Sequence, residues 1–443
     1  MQYLSVKLDV NRNVLRADFA DCSDFLMRDI TVGSLRAAVC VMDGLIDTLQ
    51  LAKTVTAPLM AMRALSDEPA MCFEQLKTSV IAASEMNEAD TFDDCYFYLM
   101  SGFAVVLLDG CSRALAVGVQ GWNRRTTEDP TTEANVRGAK ECFVETLNDN
   151  KALLRKRLKT PHLKLKQLKL GTQIPTPVVL AYLDDIADER LVQSVEKRLS
   201  SSRLRAVQDY GSLAPYLNVG VKSPFSRTGN TERPDVFASK LLEGRIGVMT
   251  EGTPFALYTP YLFTDNFSAP DDYDNPPFYA AFIRLLKYGA FLVSVLLPAL
   301  YIAVGTFHRE VIPTAMLYII ASSEAATPFS LMEEAILIHL LYEIMREGGL
   351  RLPKSIGHAV SIIGAIVIGE AMVSAGIIGE PMLVVVALTA LASYVVYPLY
   401  ETVAVIRLVL IAAAGLTGIY GLTLAAAVLL MNICACRRAA CRI

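Results

Sequence analysis

The feature that most limits what this chain can fold into is the apolar character of everything after Leu285. Residues before about Ala280 carry most of the lysines, arginines, aspartates and glutamates, whereas the later ones are mostly apolar with isolated charges. An α-helix rises about 1.5 Å per residue, so roughly 20 apolar residues cross the ~30 Å core of a lipid bilayer. The sequence therefore predicts a helical membrane domain over residues 281–443, preceded by a water-soluble half.

About five spans are expected in the membrane domain. The second is interrupted by a polar stretch ending at Pro328, and a bilayer tolerates such a break only where protein or water surrounds it. The positive-inside bias places Arg346, Arg351 and Lys354 in the cytosol, and the N-terminus lacks a signal-peptide core. The soluble half is therefore expected in the cytosol. The expected spans are 285–307, a broken segment over 312–345, 355–379, 383–397 and 408–431.

The third span carries a single acid, Glu370, among apolar neighbours. An ionisable residue inside a membrane helix is costly and usually faces a polar cavity or a partner. One stripe at helical spacing could line a pore, and a second stripe of small residues allows another helix to approach closely. The alternative is a protonated Glu370 that donates a hydrogen bond to a neighbouring helix. The predicted pore-lining residues are Ile363, Val367, Glu370 and Ser374, and the predicted packing residues are Gly357, Ser361 and Gly364.

A second polar stripe lies on the preceding helical segment. His339, Glu343 and Arg346 are spaced at i, i+4 and i+7, which places them on one side of an otherwise apolar helix. A functional role and a simple intramembrane salt bridge remain equal alternatives for this stripe.

The soluble half shows the same order of elements twice. A short apolar run ends in Asp43-Gly44 and is followed by helices and a hairpin around Asp109-Gly110, and a similar run ending in Asp184-Asp185 leads to a hairpin around Glu251-Gly252. Repeated order at a constant offset indicates a duplication. The prediction is an α/β half made of two tandem similar α/β units, each with a small mixed sheet. Their bounds are 1–123 and 172–280, joined by a basic helical segment over 124–171.

The basic segment between the units has two interpretations. Its lysines and arginines, which include Lys151, Arg155, Lys164 and Lys166, can bind anionic lipid or acidic neighbours, or they can form a solvated face. The six cysteines of the soluble half have no CxxC spacing and read as reduced thiols. The sequence has no catalytic, cofactor-binding or metal-binding signature, so an enzyme is not expected. A net charge of −4 gives no sign of nucleic-acid binding.

Six blocks of the sequence resemble one family, the A-subunits of spore germinant receptors, or GerA family. In this order they are highly specific, and they cover nearly the whole chain. The paralogous stage V sporulation protein AF shares the N-terminal blocks but lacks a good match to the fourth and fifth. The blocks are TTEDPTTEANVRGAKECFVETLNDNKALLRKRLK (126–159), NTERPD (230–235), LLEGRIGVMTEGTPF (241–255), FHREVIPTAM (307–316), REGGLRLP (346–353) and IIGAIVIGEAMVSAGI (362–377).

The resemblance implies a membrane protein of the inner spore membrane that acts in germination. It implies a homo-oligomeric ring with a central ion pore, a transporter-like B-subunit that binds the nutrient, and a lipoprotein C-subunit. The family usually continues past the last span into a segment rich in Gly, Pro and Tyr, whereas this sequence stops at CRRAACRI, as a truncated product would. An amide is commoner in the family at the position of Glu370.

Three functions follow as hypotheses. The first is an ion-conducting subunit of a nutrient-responsive receptor, with a stage V AF-like amplifier channel as its variant. The second is a solute transporter. The broken span favours it, and the lack of an obvious inverted repeat argues against it. The third is a non-conducting scaffold that anchors the cytosolic units.

Overall fold

The computed structural model of the protein describes residues 2–61, 68–121, 133, 139–218, 223–269, 272, 275–352 and 369–440, with side chains up to 435. These residues form two units. A sheet unit comprises Met1–Gly220 with Ser226–Tyr261, and a helical unit comprises Leu262–Arg442 with Val221–Phe225. The finer domain boundaries given above stay predictions.

The first half of the sheet unit is a five-stranded sheet between two layers of helices. Successive residues of its second strand point to opposite faces, so Cys40 joins a core with the first and last helices while Val39 joins a core with the others. The strands are β1 (Phe25–Val32), β2 (Leu35–Met42), β3 (Met86–Ala89), β4 (Phe103–Leu108) and β5 (Ala114–Gly118), in the order β1-β2-β4-β5-β3. The helices are α1 (Leu8–Asp18), α2 (Thr48–Leu51), α3 (Ala57–Ala61), α4 (Pro69–Gln75) and α5 (Phe92–Met100).

The second half of the sheet unit repeats this arrangement. Its strand order, β6-β7-β9-β10-β8, is that of the first sheet. The strands are β6 (Leu163–Leu170), β7 (Thr176–Leu183), β8 (Gly229–Thr231), β9 (Ile246–Thr250) and β10 (Ala256–Thr259). The helices are α6 (Leu147–Arg157), α7 (Glu189–Ser200), α8 (Ala214–Leu217) and α9 (Pro234–Leu242).

The predicted duplication is confirmed. Residues 39–42 and 179–182 lie on the second strand of their respective sheets, and the Asp109 and Glu251 turns join the matching hairpins. The predicted mixed sheet is wrong, because every strand pair in the two described sheets is antiparallel. The error arose because β1 and β6 were not recognised, and each forms a hairpin with the strand that follows it.

The two halves, called repeats 1 and 2 below, also share individual hydrogen bonds. Asn11 on α1 bonds through its side-chain amide to both the N–H and the C=O of Ser5, at 2.8 and 2.6 Å. Asn150 on α6 does the same with Val144, at 2.7 and 2.6 Å. These paired bonds fix which position of α1 corresponds to which position of α6.

The helical unit contains α10 (Pro277–Phe307), α11 (Thr314–Ala325), α12 (Leu331–Arg351), α13 (Glu380–Val395) and α14 (Tyr400–Ala440). Two described helical stretches, Pro277–Phe307 and Tyr397–Ala435, are long and apolar enough to cross a membrane. They pack together through a core that includes Val295, Ala299 and Ala414. α14 breaks at Gly418, whose φ of 65° is one that glycine adopts readily. α11 and α12 are separate helices where the sequence predicted a broken span, and five spans stay a prediction.

Candidate functional site: a polar network in the helical unit

The network begins on α12, a helix whose first turn is capped by its own side chains. Ser330 and Glu333 form a reciprocal capping box, in which the Ser330 N–H donates to the Glu333 carboxylate at 2.9 Å. One turn further on, Glu334 is buried and accepts a hydrogen bond from the N–H of Gly379 at 2.8 Å. This bond ties the start of α12 to the residue before α13.

Glu343 and Arg346 lie one turn apart on α12 and form an ion pair, with Nε donating to the carboxylate at 3.0 Å. The other oxygen of Glu343 accepts the hydroxyl of Tyr400, at the start of α14, at 2.9 Å. The guanidinium of Arg346 lies over the ring of Tyr400, 4.2 Å from its centroid. Tyr400 therefore contacts both charges. Its hydroxyl donates to the Glu343 carboxylate, and its ring face lies against the Arg346 guanidinium.

A tyrosine pair extends the network to α13. The hydroxyl of Tyr342 on α12 donates to that of Tyr394 at 2.9 Å, and the rings of Tyr394 and Tyr400 stack. The network therefore joins three helices. An open groove of about 500 Å³ runs beside it, lined by Glu343, Ile344, Arg346, Glu347, Gly348 and Arg351.

Arg407, on α14, is a buried charge of the helical unit, with 2% of its surface exposed. Its Nε donates to the carbonyl oxygen of Ser294 on α10 at 3.0 Å, and a terminal nitrogen donates to the hydroxyl of Ser393 on α13 at 2.5 Å. Within the described residues it forms no salt bridge. Arg407 is thus a buried cation held by neutral oxygens from two neighbouring helices, an arrangement that places positive charge between α10, α13 and α14.

His339 is buried on α12. Its Nδ1 is 2.8 Å from the carbonyl oxygen of Ala335, while Nε2 is buried with no hydrogen-bond partner among the described residues. Of the predicted stripe, Glu343 and Arg346 therefore contact each other, and His339 makes no hydrogen bond to either of them within the described residues.

Two of the four predicted pore-lining residues belong to the described part of the chain. Ile363 and Val367 lie outside the described residues, as do the packing residues Gly357, Ser361 and Gly364. Glu370 and Ser374 lie on a helical turn over 369–374, and both are exposed within the single chain. Their assignment to a pore stays a prediction.

Several members of the network were missed from the sequence. Arg407 is an isolated charge at the start of an apolar run, so the argument applied to Glu370 would have found it. The roles of Tyr400, Tyr394 and Ser393 had no signal in the sequence, because they depend on which helices pack together.

In the sheet unit, the predicted basic segment is paired with acids. Arg155 donates from two nitrogens to the carboxylate of Asp24, at 2.7 and 3.1 Å, and both side chains are almost wholly buried. Burial alone would lower the pKa of Arg155, but the charge and hydrogen bonds of Asp24 raise it. Lys166 pairs with Glu196 at 3.0 Å. Acidic neighbours are thus the interpretation that the structure supports for these residues, and part of the segment is strand β6.

The same unit brings together His162, Asp184 and Asp185, with their ligand atoms within 4.8 Å of one another. The histidines showed no metal-like spacing in the sequence, so this cluster was not anticipated. The Asp184 carboxylate already accepts Lys164 at 3.1 Å and lies 2.8 Å from the His162 ring nitrogen. The arrangement is an exposed ion-pair cluster at one end of β7.

Comparison with known proteins decides the family. The family described as Bacillus/Clostridium GerA spore germination protein matches residues 13–439. The chain belongs to the GerA family. It is 33% identical to spore germination protein KA of Bacillus subtilis, over 98% of this chain and 80% of that one. It is 35% identical to the uncharacterized membrane protein YfkQ of the same organism, over 93% and 80%.

A crystal structure of the N-terminal domain of the A subunit of the Bacillus megaterium spore germinant receptor GerK3 is 30% identical, with a TM-score of 0.46. The match covers 59% of this chain and 98% of that domain. By its family, this chain is a spore germination protein similar to germinant receptor A-subunits. A relative is named as a membrane protein, and two described helical stretches of this chain are long and apolar enough to cross a membrane.

Proposed function

We propose that this GerA protein is an ion-conducting subunit of a nutrient-responsive germinant receptor in the inner spore membrane. Its sheet unit would face the cytosol, and several copies would surround one pore. A transporter-like B-subunit that binds the nutrient and a lipoprotein C-subunit would complete the receptor.

The observation that supports conduction best is the contrast between charged side chains that are satisfied within one chain and polar side chains that are exposed on it. Arg407 is held by neutral oxygens of Ser294 and Ser393, and Glu343 with Arg346 is satisfied by Tyr400 within one chain. Glu370 and Ser374, in contrast, are exposed on the single chain. Polar groups on a lipid-facing surface are costly, so this face gains most from lining water between copies.

The test is ion flux in liposomes that carry the purified protein with and without its B- and C-subunits. The proposal expects cation efflux that rises on addition of nutrient only when the B-subunit is present. An intact complex that passes no ions would support a scaffold instead. Saturable uptake of one solute by a monomer would support a transporter.

An amplifier channel like stage V AF is the second candidate, favoured by the overlap of the N-terminal blocks. Such a channel would conduct without a B-subunit of its own. Nutrient-independent efflux from liposomes that contain this chain alone would support that assignment.

A further inference from the structure

α14 is a helical hairpin rather than one straight helix. Thr402, near its start, donates its hydroxyl to the carbonyl oxygen of Pro224 at 3.0 Å, and Asn432, near its end, accepts the hydroxyl of Ser223 at 2.7 Å. In a continuous α-helix Thr402 and Asn432 would lie about 45 Å apart, because 30 positions separate them. Their contacts with two consecutive residues require the helix to reverse its direction between them.

The reversal occurs at Gly418, whose φ of 65° and ψ of −145° interrupt the helical conformation. We call residues 400–417 the first arm and residues 419–440 the second arm. A Cβ placed on Gly421 in the second arm would overlap the carbonyl oxygen of Ala413 in the first, so the arms touch next to the turn. Apolar side chains at matching distances from Gly418 also share one core. They are Val403, Ile406, Leu410 and Ala414 on the first arm and Ile433, Leu429, Ala425 and Leu422 on the second.

The hairpin extends along α10 from one end of the apolar part of that helix to the other. Near the start of α10, Phe291 lies in the same core as Phe225 and Val403. At the other end, a Cβ placed on Gly418 would lie 3.0 Å from the ring of Phe307, the last residue of α10. α10 is long and apolar enough to cross a membrane, and each arm, at roughly 25 Å, covers most of the same distance. The polar residues that follow α10 are His308, Arg309 and Glu310.

Residues 223–225, which we call the clasp, hold both arms at the end opposite Gly418. Besides the hydrogen bonds to Thr402 and Asn432, the clasp has a buried aromatic anchor. The ring of Phe225 packs edge-on against that of Phe263, with centroids 5.2 Å apart, and Phe263 packs in the same way against Phe291 at 5.5 Å. The clasp is therefore fixed to α10 as well as to the two arms.

We propose that α14 crosses the membrane twice, with Gly418 at the far face, and that the clasp holds the two crossings together at the near face. Residues 221–225 belong to the helical unit, and the sheet unit resumes at Ser226. The inference rests on the proposed cytosolic position of the sheet unit, which makes the near face the cytosolic one. The end of the second arm then returns to the cytosolic face.

The charges of the sequence agree with this placement. No Asp or Glu follows Glu401, and the sequence ends with Arg437, Arg438 and Arg442. Arginines beside a membrane helix favour the cytosolic side, where the lipid is anionic. A single crossing over 408–431, as the sequence predicted, would start at the cytosolic face and leave these arginines on the other side.

Thiol labelling from each side of the membrane tests the number of crossings. The full-length protein is expressed in cells with Cys436 and Cys441 replaced by serine, which leaves the exposed Cys434 as the probe of the second arm. In a second variant Cys434 is also serine and Glu310→Cys, at an exposed position after α10, marks the far face. A membrane-impermeant maleimide should label the Glu310→Cys variant in intact cells, and Cys434 only after the membrane is permeabilised. Mass spectrometry of the labelled peptides identifies the site.

The pattern of labelling separates this inference from the proposed function. Labelling of both positions from the same side would overturn the two crossings. The reverse pattern, with Cys434 labelled in intact cells and the Glu310→Cys variant only after permeabilisation, would keep the two crossings and overturn the cytosolic position of the sheet unit. A complex that passes no ions but shows the expected labelling removes conduction alone.

Disulfide trapping tests the clasp in protein with Cys434, Cys436 and Cys441 replaced by serine. Ser223→Cys with Asn432→Cys replaces two side chains that are hydrogen-bonded to each other, so mild oxidant should form a disulfide within one chain. The matched control joins Ser223→Cys to Tyr420→Cys, an exposed position of the second arm near the turn, and should give roughly tenfold less product. Equal yields, or a product that links two chains, would overturn the clasp.

The aromatic anchor has its own test in the same disulfide pair. Phe225→Ala removes a ring from the core that α10 shares with the two arms and should lower the yield of the disulfide roughly tenfold. Phe278→Ala, at a residue that is 90% exposed in the same unit, should leave the yield unchanged. An unchanged yield for both variants would show that Phe225 does not hold the clasp.

Discussion

Asp24 and Arg155 form a bidentate ion pair that is closed to water and joins the two repeats of the sheet unit. Removing one partner of such a pair leaves the other charge buried and uncompensated. Asp24→Ala should therefore destabilise the sheet unit by about 3–5 kcal/mol. The measurement is hydrogen exchange of the full-length protein in detergent, read on α6 and β1.

Two controls separate the effect of leaving one charge unpaired from the effect of changing a side chain at this joint. Asp29→Ala removes a half-exposed carboxylate that pairs with Arg12 and, at longer distance, with Arg16, and it should cost about 0–1 kcal/mol. The double change Asp24→Leu with Arg155→Met removes both charges and should recover much of the loss. A double change as damaging as Asp24→Ala would show that packing, not charge, dominates this joint.

Asp109 gives a pH dependence with a defined sign. The N–H of Leu8 at the start of α1, followed by the guanidinium of Arg36, holds the pKa of Asp109 below its ordinary value of 3.8. A lowered folded pKa stabilises the protein above the unfolded value, and this stabilisation is lost as pH falls through the folded pKa. Asp109→Asn keeps a side-chain oxygen for the Leu8 N–H and removes the charge beside Arg36, so it should cost about 0–1 kcal/mol at pH 7.

The difference between Asp109→Asn and the natural protein should shrink as pH falls below about 4. Glu251 accepts the N–H of Leu147 in the same way, at 2.9 Å, so Glu251→Gln is the matched change. Exchange should rise on α1 for the first variant and on α6 for the second. If either variant raised hydrogen exchange equally on α1 and α6, the two carboxylates would not act as separate caps, each for its own helix.

The Glu343–Arg346 pair is predicted to act in assembly rather than conduction. Arg346→Ala leaves the Glu343 carboxylate with only the hydroxyl of Tyr400, and an unpaired charge at membrane depth is costly. The amount of assembled protein should fall more than the conductance of what remains. Normal assembly with an altered flux would count against this role.

Tyr400→Phe is the conservative companion of that change. It keeps the ring under the guanidinium and removes only the hydroxyl. A loss of about 1.5–3 kcal/mol in stability is expected, since one hydrogen bond to a charged group is removed while the ion pair remains. A loss as large as that of Arg346→Ala would place the hydroxyl, not the ion pair, at the centre of the network.

Glu370→Gln tests the pore assignment. A ring of one carboxylate per copy would attract cations and repel anions. Flux through the natural protein should therefore favour cations. The glutamine variant should show weaker cation preference with the oligomer intact.

Flux in liposomes with and without germinant is the measurement for Glu370. Unchanged selectivity would remove this residue from the pore, and loss of the oligomer would assign it to helix packing. Ser374→Ala, one turn along the same face, is the matched neutral control and should alter conductance without altering the cation preference.

The strands that the sequence revealed are the buried ones. β2 and β4 are apolar runs that end at Asp43-Gly44 and Asp109-Gly110. Such strands can be predicted from the sequence because both of their faces are buried, so nearly every residue in them is apolar. β6, LKLKQLKL, was assigned to a basic connection, although its alternation has the period of a strand. Edge strands carry polar side chains on one face, so their composition resembles that of a connecting segment.

Less of the polar network than of the fold could be predicted from the sequence. The pairing of Glu343 with Arg346 follows from spacing along one helix. The burial of Arg407 against Ser294 and Ser393 joins residues far apart in the chain, and it depends on the packing of α10, α13 and α14. Periodicity reports the face of a single helix and carries no information about which helix lies opposite.

The bond between Asp24 and Arg155 spans 131 positions of the chain. The strands of repeat 1 precede α6 in the chain, and domains generally fold from the N-terminus onward during synthesis. Until α6 has folded, the Asp24 carboxylate is hydrated at an uncovered end of repeat 1. We therefore expect that α6 of a second copy can bind there in place of the chain's own helix, so exchange of α6 between copies is the misassembly to look for when the protein is refolded.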